Sequence, residues 1–274
     1  MDKLKNIKAV ILDLDGTLLS PKLIMLPETK RTLLKLKEKG IKIIIASGRT
    51  PLIACSKTKE LNINLPMILA NGALIFDPNT NSIIDKTEMS KETISFFLKL
   101  SKEINNSLNI YTPKYIYLDE NKIDSYILEA GDERCNLRSH DQLIIENEIL
   151  LKCEFYGKDN GINPDLKYLV VEKSKHLGED LYITSAHINY LEILNKNVNK
   201  HNGVVKVLKM LNLREDEVIA FGDSHNDLEM LANLPYSVAM GNASDEVKQA
   251  ATYTTKSNNE DGIAYFIKNN TNIL

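Results

Sequence analysis

The chain has 274 residues and a formal net charge of −3, with 43% hydrophobic and 26% charged residues. This length allows one large domain or two modest ones, and the composition is ordinary for a globular protein. So small a net charge gives no general attraction to nucleic acid or to an anionic membrane. No segment approaches the roughly 20 apolar residues of a membrane span, and the first residues lack the apolar core of a signal peptide. We therefore expect a cytoplasmic monomer or small homo-oligomer with no nucleic-acid or membrane partner.

Four short apolar runs are each followed directly by polar residues or glycine. They cover residues 8–12, 41–46, 66–70 and 217–221, and they lead into Asp13, Ser47, Asn71 and Gly222. Runs of this length that are rich in β-branched residues suit strands covered on both faces, as in a parallel sheet.

Helical patterns alternate with these strands. They run from Glu28 to Lys39, from Thr50 to about Leu61, from Gly203 to Leu211 and from Asn226 to Ala232. This alternation predicts an α/β domain with a doubly wound, mainly parallel, Rossmann-like sheet. In such sheets ligands bind beyond the carboxyl ends of the strands, where the polar residues fall in this chain.

The segment between Gly72 and Lys200 is too long to be a loop within a compact domain. Its patterns predict helices near residues 91–104, 123–130 and 164–177, and strands near residues 110–118, 150–156 and 181–185. We expect an inserted α+β domain at residues 83–188, with residues 1–82 and 189–274 forming the α/β domain. The apolar residues 190–194 are expected to return the chain to the α/β domain.

Two pairs of carboxylates fall at predicted strand ends. Asp13 and Asp15 follow the first strand, and Asp223 and Asp227 follow a later one. Four acids at one sheet edge would repel one another strongly unless a cation lay among them. Mg²⁺ suits such oxygen ligands and commonly completes its coordination with waters and phosphate oxygens. The sequence therefore predicts a Mg²⁺ site at this edge.

Three motifs occur in order: Asp-Leu-Asp-Gly-Thr-Leu from Asp13, Ser-Gly-Arg from Ser47 and Gly-Asp-x-x-Asn-Asp from Gly222. In these motifs the chain resembles the haloacid dehalogenase superfamily, and within it the Cof-type phosphatases with a cap of the second type. The resemblance covers essentially the whole chain, including the position of the insertion. It implies a Mg²⁺-dependent phosphatase whose substrates are small phosphate esters, such as sugar phosphates or monoesters like flavin mononucleotide and pyridoxal phosphate. It also implies that the insertion is a cap that selects the substrate.

The resemblance also implies roles for individual residues. Asp13 would be the nucleophile, forming an aspartyl-phosphate, and Asp15 the general acid and then base. Mg²⁺ would be bound by Asp13, Asp223 and the Asp15 backbone carbonyl, with Asp227 orienting its water shell. The implied phosphate contacts are the Leu14 backbone, Ser47, Gly48, Lys200 and Asn226, and the residues implied to lie near the substrate are Asn71 and Gly72.

Some assignments have alternatives. Lys196 could take the place of Lys200, but Asn202-Gly203 opens a helix directly after Lys200, which favours the latter. Arg49 could touch substrate, cap a helix or form an ion pair.

Two other functions use related chemistry. A phosphohexomutase would need a second anion site in the insertion, for which Arg134 and Arg138, four residues apart, are candidates. A non-catalytic phospho-ligand or signalling module would have no use for a general acid at Asp15 or for a cap.

Overall fold

The computed structural model describes residues 4, 6–119, 136–157, 164–177, 181–185 and 189–274. The strands of these segments are β1 (Ala9–Leu12), β2 (Lys42–Ile45), β3 (Met67–Leu69), β4 (Leu74–Asp77), β5 (Ser82–Lys86), β6 (Ser107–Tyr111), β7 (Ile116–Leu118), β8 (Leu137–Ser139), β9 (Lys152–Tyr156), β10 (Leu181–Thr184), β11 (Tyr190–Asn195), β12 (Val218–Gly222), β13 (Ser237–Ala239) and β14 (Tyr253–Thr254). The α-helices are α1 (Pro27–Glu38), α2 (Pro51–Thr58), α3 (Lys91–Glu103), α4 (Pro164–Ser174), α5 (Lys200–Met210), α6 (Leu228–Asn233), α7 (Asp245–Ala250) and α8 (Gly262–Asn270).

The chain divides into two compact units. The first comprises Met1–Asp85 and Asn199–Leu274, and the second comprises Lys86–Val198. The expected insertion at residues 83–188 lies largely within the second unit.

The first unit contains a five-stranded parallel sheet with the strand order β14-β13-β12-β1-β2. Strand β1 lies inside this sheet, and all four of its residues are buried. Both of its faces are covered, which is why it is apolar throughout instead of alternating with polar residues. A parallel bridge between Ala46 and Ile68 places β3 beside β2. The predicted α/β class with a parallel core sheet is confirmed.

The second unit contains a mixed six-stranded sheet with the order β10-β11-β9-β6-β7-β8. Neighbouring strands are antiparallel except for β7 and β8, which are parallel. One face of the sheet contributes Phe155 and Ile193 to a buried apolar cluster that also includes Phe97 of α3 and Val170 of α4. This is the inserted α+β domain that the sequence predicts.

The opposite face of this sheet buries a polar cluster, because side chains alternate along a strand. Lys152 forms ion pairs with Glu192 and, at 3.4 Å, with Glu154. Glu154 also accepts hydrogen bonds from the Tyr111 hydroxyl (2.9 Å) and the Asn109 amide (3.2 Å). At least nine-tenths of each of these side chains is shielded from solvent, so the cluster is held by its internal partners.

Strand β11 corrects one expectation. It pairs with β9 and β10 and so belongs to the second sheet, instead of returning the chain to the first domain. An apolar run predicts a strand but does not specify its partners.

The predicted strand at residues 110–118 is two antiparallel strands, β6 and β7. The helix predicted near residues 123–130 lies outside the described residues, as does Arg134. Within the described segments, no helix has both the length and the apolar character needed to cross a bilayer.

Candidate active site

Three carboxylates meet at one edge of the parallel sheet. Asp13 follows β1 and Asp223 follows β12, and these strands are parallel neighbours, so their carboxyl ends lie side by side. Asp227 lies in the short 3₁₀ turn His225–Asp227 that precedes α6. One side-chain oxygen from each of the three lies within 4.8 Å of the others, and Asp13 and Asp227 are buried.

Lys200 lies against two of these carboxylates. Its Nζ donates to Asp13 Oδ1 at 2.6 Å and to Asp227 Oδ1 at 2.7 Å, and its side chain is fully buried. Lys200 is the first residue of α5, whose N-cap Asn199 accepts a hydrogen bond from the Asn202 N–H at 2.8 Å. The structure thus brings Lys200 to the carboxylates, while Lys196 is exposed.

Both carboxylate oxygens of Asp227 are engaged by protein groups. Oδ1 accepts from Lys200, and Oδ2 accepts from the backbone N–H groups of Asp223 (2.9 Å) and Ser224 (3.1 Å). A Cβ at Gly222 would lie 2.6 Å from Asp227 Cγ, so a glycine is required where the loop leaves β12. Asp227 therefore holds Lys200 and the Asp223 loop in place.

Asp223 is held from several sides. The Thr17 hydroxyl donates to Oδ1 at 2.6 Å, and the Ser224 hydroxyl and the Asn242 amide each lie 3.3 Å from Oδ2. Gly16 has a φ of +82°, and a Cβ there would lie 2.1 Å from Asp223 Oδ2. Glycine at this position allows the loop after Asp13 to pack directly on Asp223. The contacts of Thr17 and Asn242 with the Asp223 carboxylate were not predicted from the sequence. Thr17 is inside the first motif and could have been found, whereas no local signal marks Asn242.

The electrostatics of this cluster call for a cation. Burial raises the pKa of Asp13 well above its usual value; Lys200 opposes the shift, and Asp227, Asp223 and Asp15 reinforce it. Burial and the Asp227 charge raise the pKa of Asp223 to about 7. Burial acts to lower the pKa of Lys200, but Asp13 and Asp227 raise it overall. The cluster thus has three carboxylates and one ammonium group, which contacts Asp13 and Asp227. Its all-oxygen donor set fits Mg²⁺.

The side chain of Asp15 pairs with Arg49 instead of joining the three clustered carboxylates. Arg49 Nε lies 2.6 Å from Asp15 Oδ2, and its Nη2 lies 2.8 Å from Oδ1, which is a bidentate ion pair. The backbone N–H of Arg49 also donates to the Ser47 hydroxyl at 3.2 Å. Of the alternatives for Arg49, the structure shows the ion pair.

Four of the remaining predicted site residues lie close to one another. Ser47 and Gly48 follow β2, and Asn71 and Asn226 lie beside them: the Asn226 amide donates to Asn71 Oδ1 at 3.0 Å. A Cβ at Gly48 would lie 2.9 Å from the same Asn71 oxygen, and Asn226 Oδ1 is buried with no hydrogen-bond partner among the described residues.

Leu14 and Gly72 have other surroundings. The Leu14 carbonyl accepts hydrogen bonds from Thr17 and Leu19, which close the turn after Asp13. Gly72 has a φ of +97°, and a Cβ there would lie 2.4 Å from the Asn199 carbonyl oxygen, so this glycine packs on the start of α5.

The chain is similar to a known family and to several known proteins along most of its length. The chain matches the haloacid dehalogenase-like hydrolase family over residues 10–267. It is 31% identical to a Haemophilus influenzae protein whose name classes it provisionally as a phosphatase, over 95% of this chain and 97% of that protein. It is 28% identical to the 5-amino-6-(5-phospho-D-ribitylamino)uracil phosphatase YcsE of Bacillus subtilis, over 96% of this chain and 95% of that protein.

Solved structures show the same fold. A haloacid dehalogenase-like hydrolase from B. subtilis superposes with a TM-score of 0.84 at 24% identity, covering 96% of this chain and 99% of that one. A sugar phosphatase of HAD subclass IIB superposes with a TM-score of 0.81 at 23% identity, covering 95% of this chain and 98% of that one. The likeness therefore extends over both units.

Proposed function

Because the chain belongs to the haloacid dehalogenase-like hydrolase family, we propose that it is a Mg²⁺-dependent, Cof-type phosphatase of small phosphate monoesters. The observation that carries this proposal is the contact of Lys200 with both Asp13 and Asp227, beside Asp223. In this arrangement Asp13 supplies a nucleophilic carboxylate and Lys200 a positive charge that screens it. The clustered carboxylates supply a site for a divalent metal. Phosphoryl transfer requires such positioning and charge compensation more than covalent help from the protein.

Asp13 is the nucleophile of the proposed reaction. Its carboxylate oxygen forms a bond to phosphorus while the bond from phosphorus to the leaving oxygen breaks, which gives an aspartyl-phosphate and an alcohol. In the second step the oxygen of a water molecule bonds to phosphorus, and the bond from phosphorus to Asp13 breaks. Lys200 offsets negative charge on Asp13 and on the transferring group throughout.

Asp15 moves the proton in both steps. It gives a proton to the leaving oxygen and then takes one from the attacking water, so it ends as it began. Both of its oxygens now accept from Arg49, so this role requires the Asp15 side chain to turn away from that pair.

Mg²⁺ would be held by Asp13, Asp223 and the Asp15 backbone carbonyl, with Asp227 outside its direct coordination. When bound, the ion supplies positive charge that lets an anionic phosphate approach an anionic nucleophile. The phosphate oxygens would be held by the Leu14 backbone, Ser47, Gly48, Lys200 and Asn226, with Asn71 and Gly72 near the substrate. Asn226 and Asn71 are already in contact, which supports a shared site.

The proposed substrates are small phosphate monoesters, such as sugar phosphates or phosphorylated ribitylaminouracil compounds. The relatives with phosphatase names support this class, and the inserted second unit supports a cap that selects among its members. No observation on the described residues favours a phosphohexomutase. The guanidinium carbon of Arg138 lies 4.4 Å from the centroid of the Tyr115 ring, and Arg138 donates to the Leu137 carbonyl.

The test is release of inorganic phosphate from a panel of about a hundred phosphorylated metabolites, because the fold alone does not specify the substrate. The purified protein is assayed with Mg²⁺, with excess EDTA, and as Asp13→Asn with Mg²⁺. We expect release from a subset of the panel with Mg²⁺ and none in the other two arms. Full activity in EDTA would contradict the metal dependence, and no release from any ester would contradict the proposed function.

A further inference from the structure

A side chain far from the motifs reaches the proposed metal site. Asn242 lies in the loop after β13, and its Nδ2 donates to the Gly16 carbonyl at 2.9 Å and to Asp223 Oδ2 at 3.3 Å. Its Oδ1 accepts the backbone N–H of Asn258 at 3.0 Å. These contacts fix the orientation of the amide, because the reversed amide would place its oxygen against two acceptors.

Asn258 extends this connection. Its side-chain amide donates to the Leu19 carbonyl at 2.7 Å, and it is buried. The two asparagines therefore tie the loop after β13 to both ends of the segment 16–19, which directly follows Asp13 and Asp15. The loop after β1, which carries Asp13 and Asp15, is thus held by residues that are distant from it in sequence.

Asn242 differs from the other groups that contact Asp223. Thr17 is almost fully buried, whereas Asn242 is exposed, so little packing depends on it. Its amide donates hydrogen bonds without adding charge. A lysine there would compete with a bound cation, and an aspartate would repel Asp223.

We propose that Asn242 is a positioning residue, which holds the Asp223 carboxylate and the Gly16 carbonyl in the arrangement that binds a divalent cation. This inference rests on the proposed function, since it takes the carboxylate cluster to be the Mg²⁺ site. A carboxylate oxygen of Asp13 and one of Asp227 lie within 4.8 Å of an Asp223 oxygen, and these like charges repel one another. A neutral donor on Asp223 Oδ2 opposes that repulsion before the cation arrives, so less reorganisation is needed on binding. Groups of this kind around metal ligands typically contribute about 10–100-fold to metal affinity or activity.

The first experiment compares Asn242→Ala with Asn269→Ala as a matched control. Asn269 is also exposed and donates to a carbonyl, that of Tyr265 at 2.8 Å, but it lies in α8. Mg²⁺ binding is measured by calorimetry without substrate, turnover is titrated with Mg²⁺, and Tm is measured in EDTA. For Asn242→Ala we expect about tenfold weaker Mg²⁺ binding, nearly full kcat at saturating Mg²⁺ and a Tm in EDTA close to that of the unmodified protein. Asn269→Ala should change none of these.

Unchanged Mg²⁺ affinity in Asn242→Ala would overturn the inference, and a lower Tm in EDTA alongside it would show a purely structural role. These results leave the proposed function standing if the unmodified protein still releases phosphate with Mg²⁺. An unmodified protein that neither binds Mg²⁺ nor releases phosphate would overturn the proposed function and this inference with it.

A double-mutant cycle tests whether Asn242 acts through Asp223. Thr17→Val removes the donor on the other oxygen of that carboxylate while keeping the side-chain shape. Two groups that hold one carboxylate should have non-additive effects on Mg²⁺ affinity, whereas independent groups add. Additive losses would overturn the assignment of Asn242 to Asp223.

Discussion

At the scale of single residues, the site depends on pairing buried charges. Lys200 is fully buried between Asp13 and Asp227, and removing one partner of such a group leaves another charge buried and uncompensated. The two carboxylates of the first motif have different surroundings. Asp13 is buried against Lys200, whereas the side chain of Asp15 is 38% exposed and pairs with Arg49. This difference is consistent with the proposed roles, in which Asp13 is a nucleophile held in place and Asp15 is a proton carrier that must move.

Asp13→Asn should abolish turnover, because an amide is a poor nucleophile and no acyl phosphate can form. The assay is phosphate release from the best substrate of the panel at saturating Mg²⁺. The variant should keep its fold, since the asparagine oxygen can still accept from Lys200, and circular dichroism checks this. Measurable turnover by a folded Asp13→Asn protein would show that another residue is the nucleophile.

Asp15→Asn should slow each step that it serves by ~10²–10⁴, the usual contribution of general acid–base catalysis. With p-nitrophenyl phosphate the leaving group needs little protonation, so Asp13 should still become phosphorylated. Hydrolysis of the aspartyl-phosphate should then be slow, because Asp15 no longer takes a proton from the attacking water. We expect a burst of p-nitrophenol and a phosphorylated peptide containing Asp13 in mass spectra, which hydroxylamine removes. An adduct on Ser47 or on any residue other than Asp13 would contradict the mechanism.

At the scale of elements, the placement of Lys200 depends on close packing of α5. A Cβ at Gly203 would lie 2.4 Å from Ile68 Cγ2 of β3 and 3.2 Å from Gly72 Cα. Gly72 in turn packs on the Asn199 carbonyl at the helix N-terminus. Two glycines thus allow the first turn of α5 to sit against the sheet, where Lys200 reaches Asp13.

Gly203→Ala should push α5 away from β3 and reduce both stability and turnover. Alanine gains about 1 kcal/mol in helix propensity, but overpacking costs about 1–3 kcal/mol, so the net effect should be destabilising. Urea unfolding and kcat measure the two effects. Val205→Ala, at an exposed position of the same helix, is the control and should change neither by much. A Gly203→Ala protein that is more stable and fully active would disprove this tight contact.

The polar cluster on β6, β9 and β11 makes stability depend on pH. Burial raises the pKa of Glu154 above its ordinary 4.5; Lys152 opposes this shift and Glu192 reinforces it. A raised pKa in the folded state contributes stability below about pH 4.5, and that stability is lost as the pH rises through the folded pKa.

Glu154→Gln removes this ionisation while keeping an acceptor for Tyr111 and Asn109. The free energy of unfolding of Glu154→Gln, minus that of the unmodified protein, should therefore be larger at about pH 8 than at about pH 4.5. Urea unfolding of both proteins at both pH values measures this difference. Glu146→Gln, at an exposed carboxylate, should show no such trend. A relative stability that falls with rising pH would mean that pairing with Lys152 outweighs burial.

At the scale of the whole molecule, the chain consists of two units with separate sheets and cores. The residues of the proposed chemistry all come from the first unit. Asp85, at the exit from that unit, forms an ion pair with Lys206 of α5 at 2.7 Å, so the point of insertion is attached to the helix that carries Lys200. The second unit is then available to select substrates, which is the role proposed for it.

Replacing Lys86–Val198 by a short Gly/Ser linker should leave a folded first unit with little discrimination among substrates. All five strands of its parallel sheet and its proposed catalytic residues are retained, which is the physical reason to expect folding. The measurements are solubility, circular dichroism and the ranking of phosphate release over the substrate panel. An unchanged ranking would contradict the role of the second unit, and an insoluble product would contradict its independence from the first.

The local pattern of residues was enough to predict the parallel sheet and the edge at which Asp13 and Asp223 meet. Parallel strands end at a common edge, so Asp13 and Asp223 could be placed together without knowing the fold in detail. The helix signal after Lys200 likewise favoured it over Lys196. Other features depend on which distant segments meet. Asn242 and Gly16 are 226 residues apart in sequence, and no spacing or propensity predicts their hydrogen bond. An ion pair was one alternative for Arg49, but its partner Asp15 and the partners of β11 were beyond reach for the same reason. A sequence pattern specifies the type of an element and its buried face, whereas long-range contacts are selected by the packing of the whole chain.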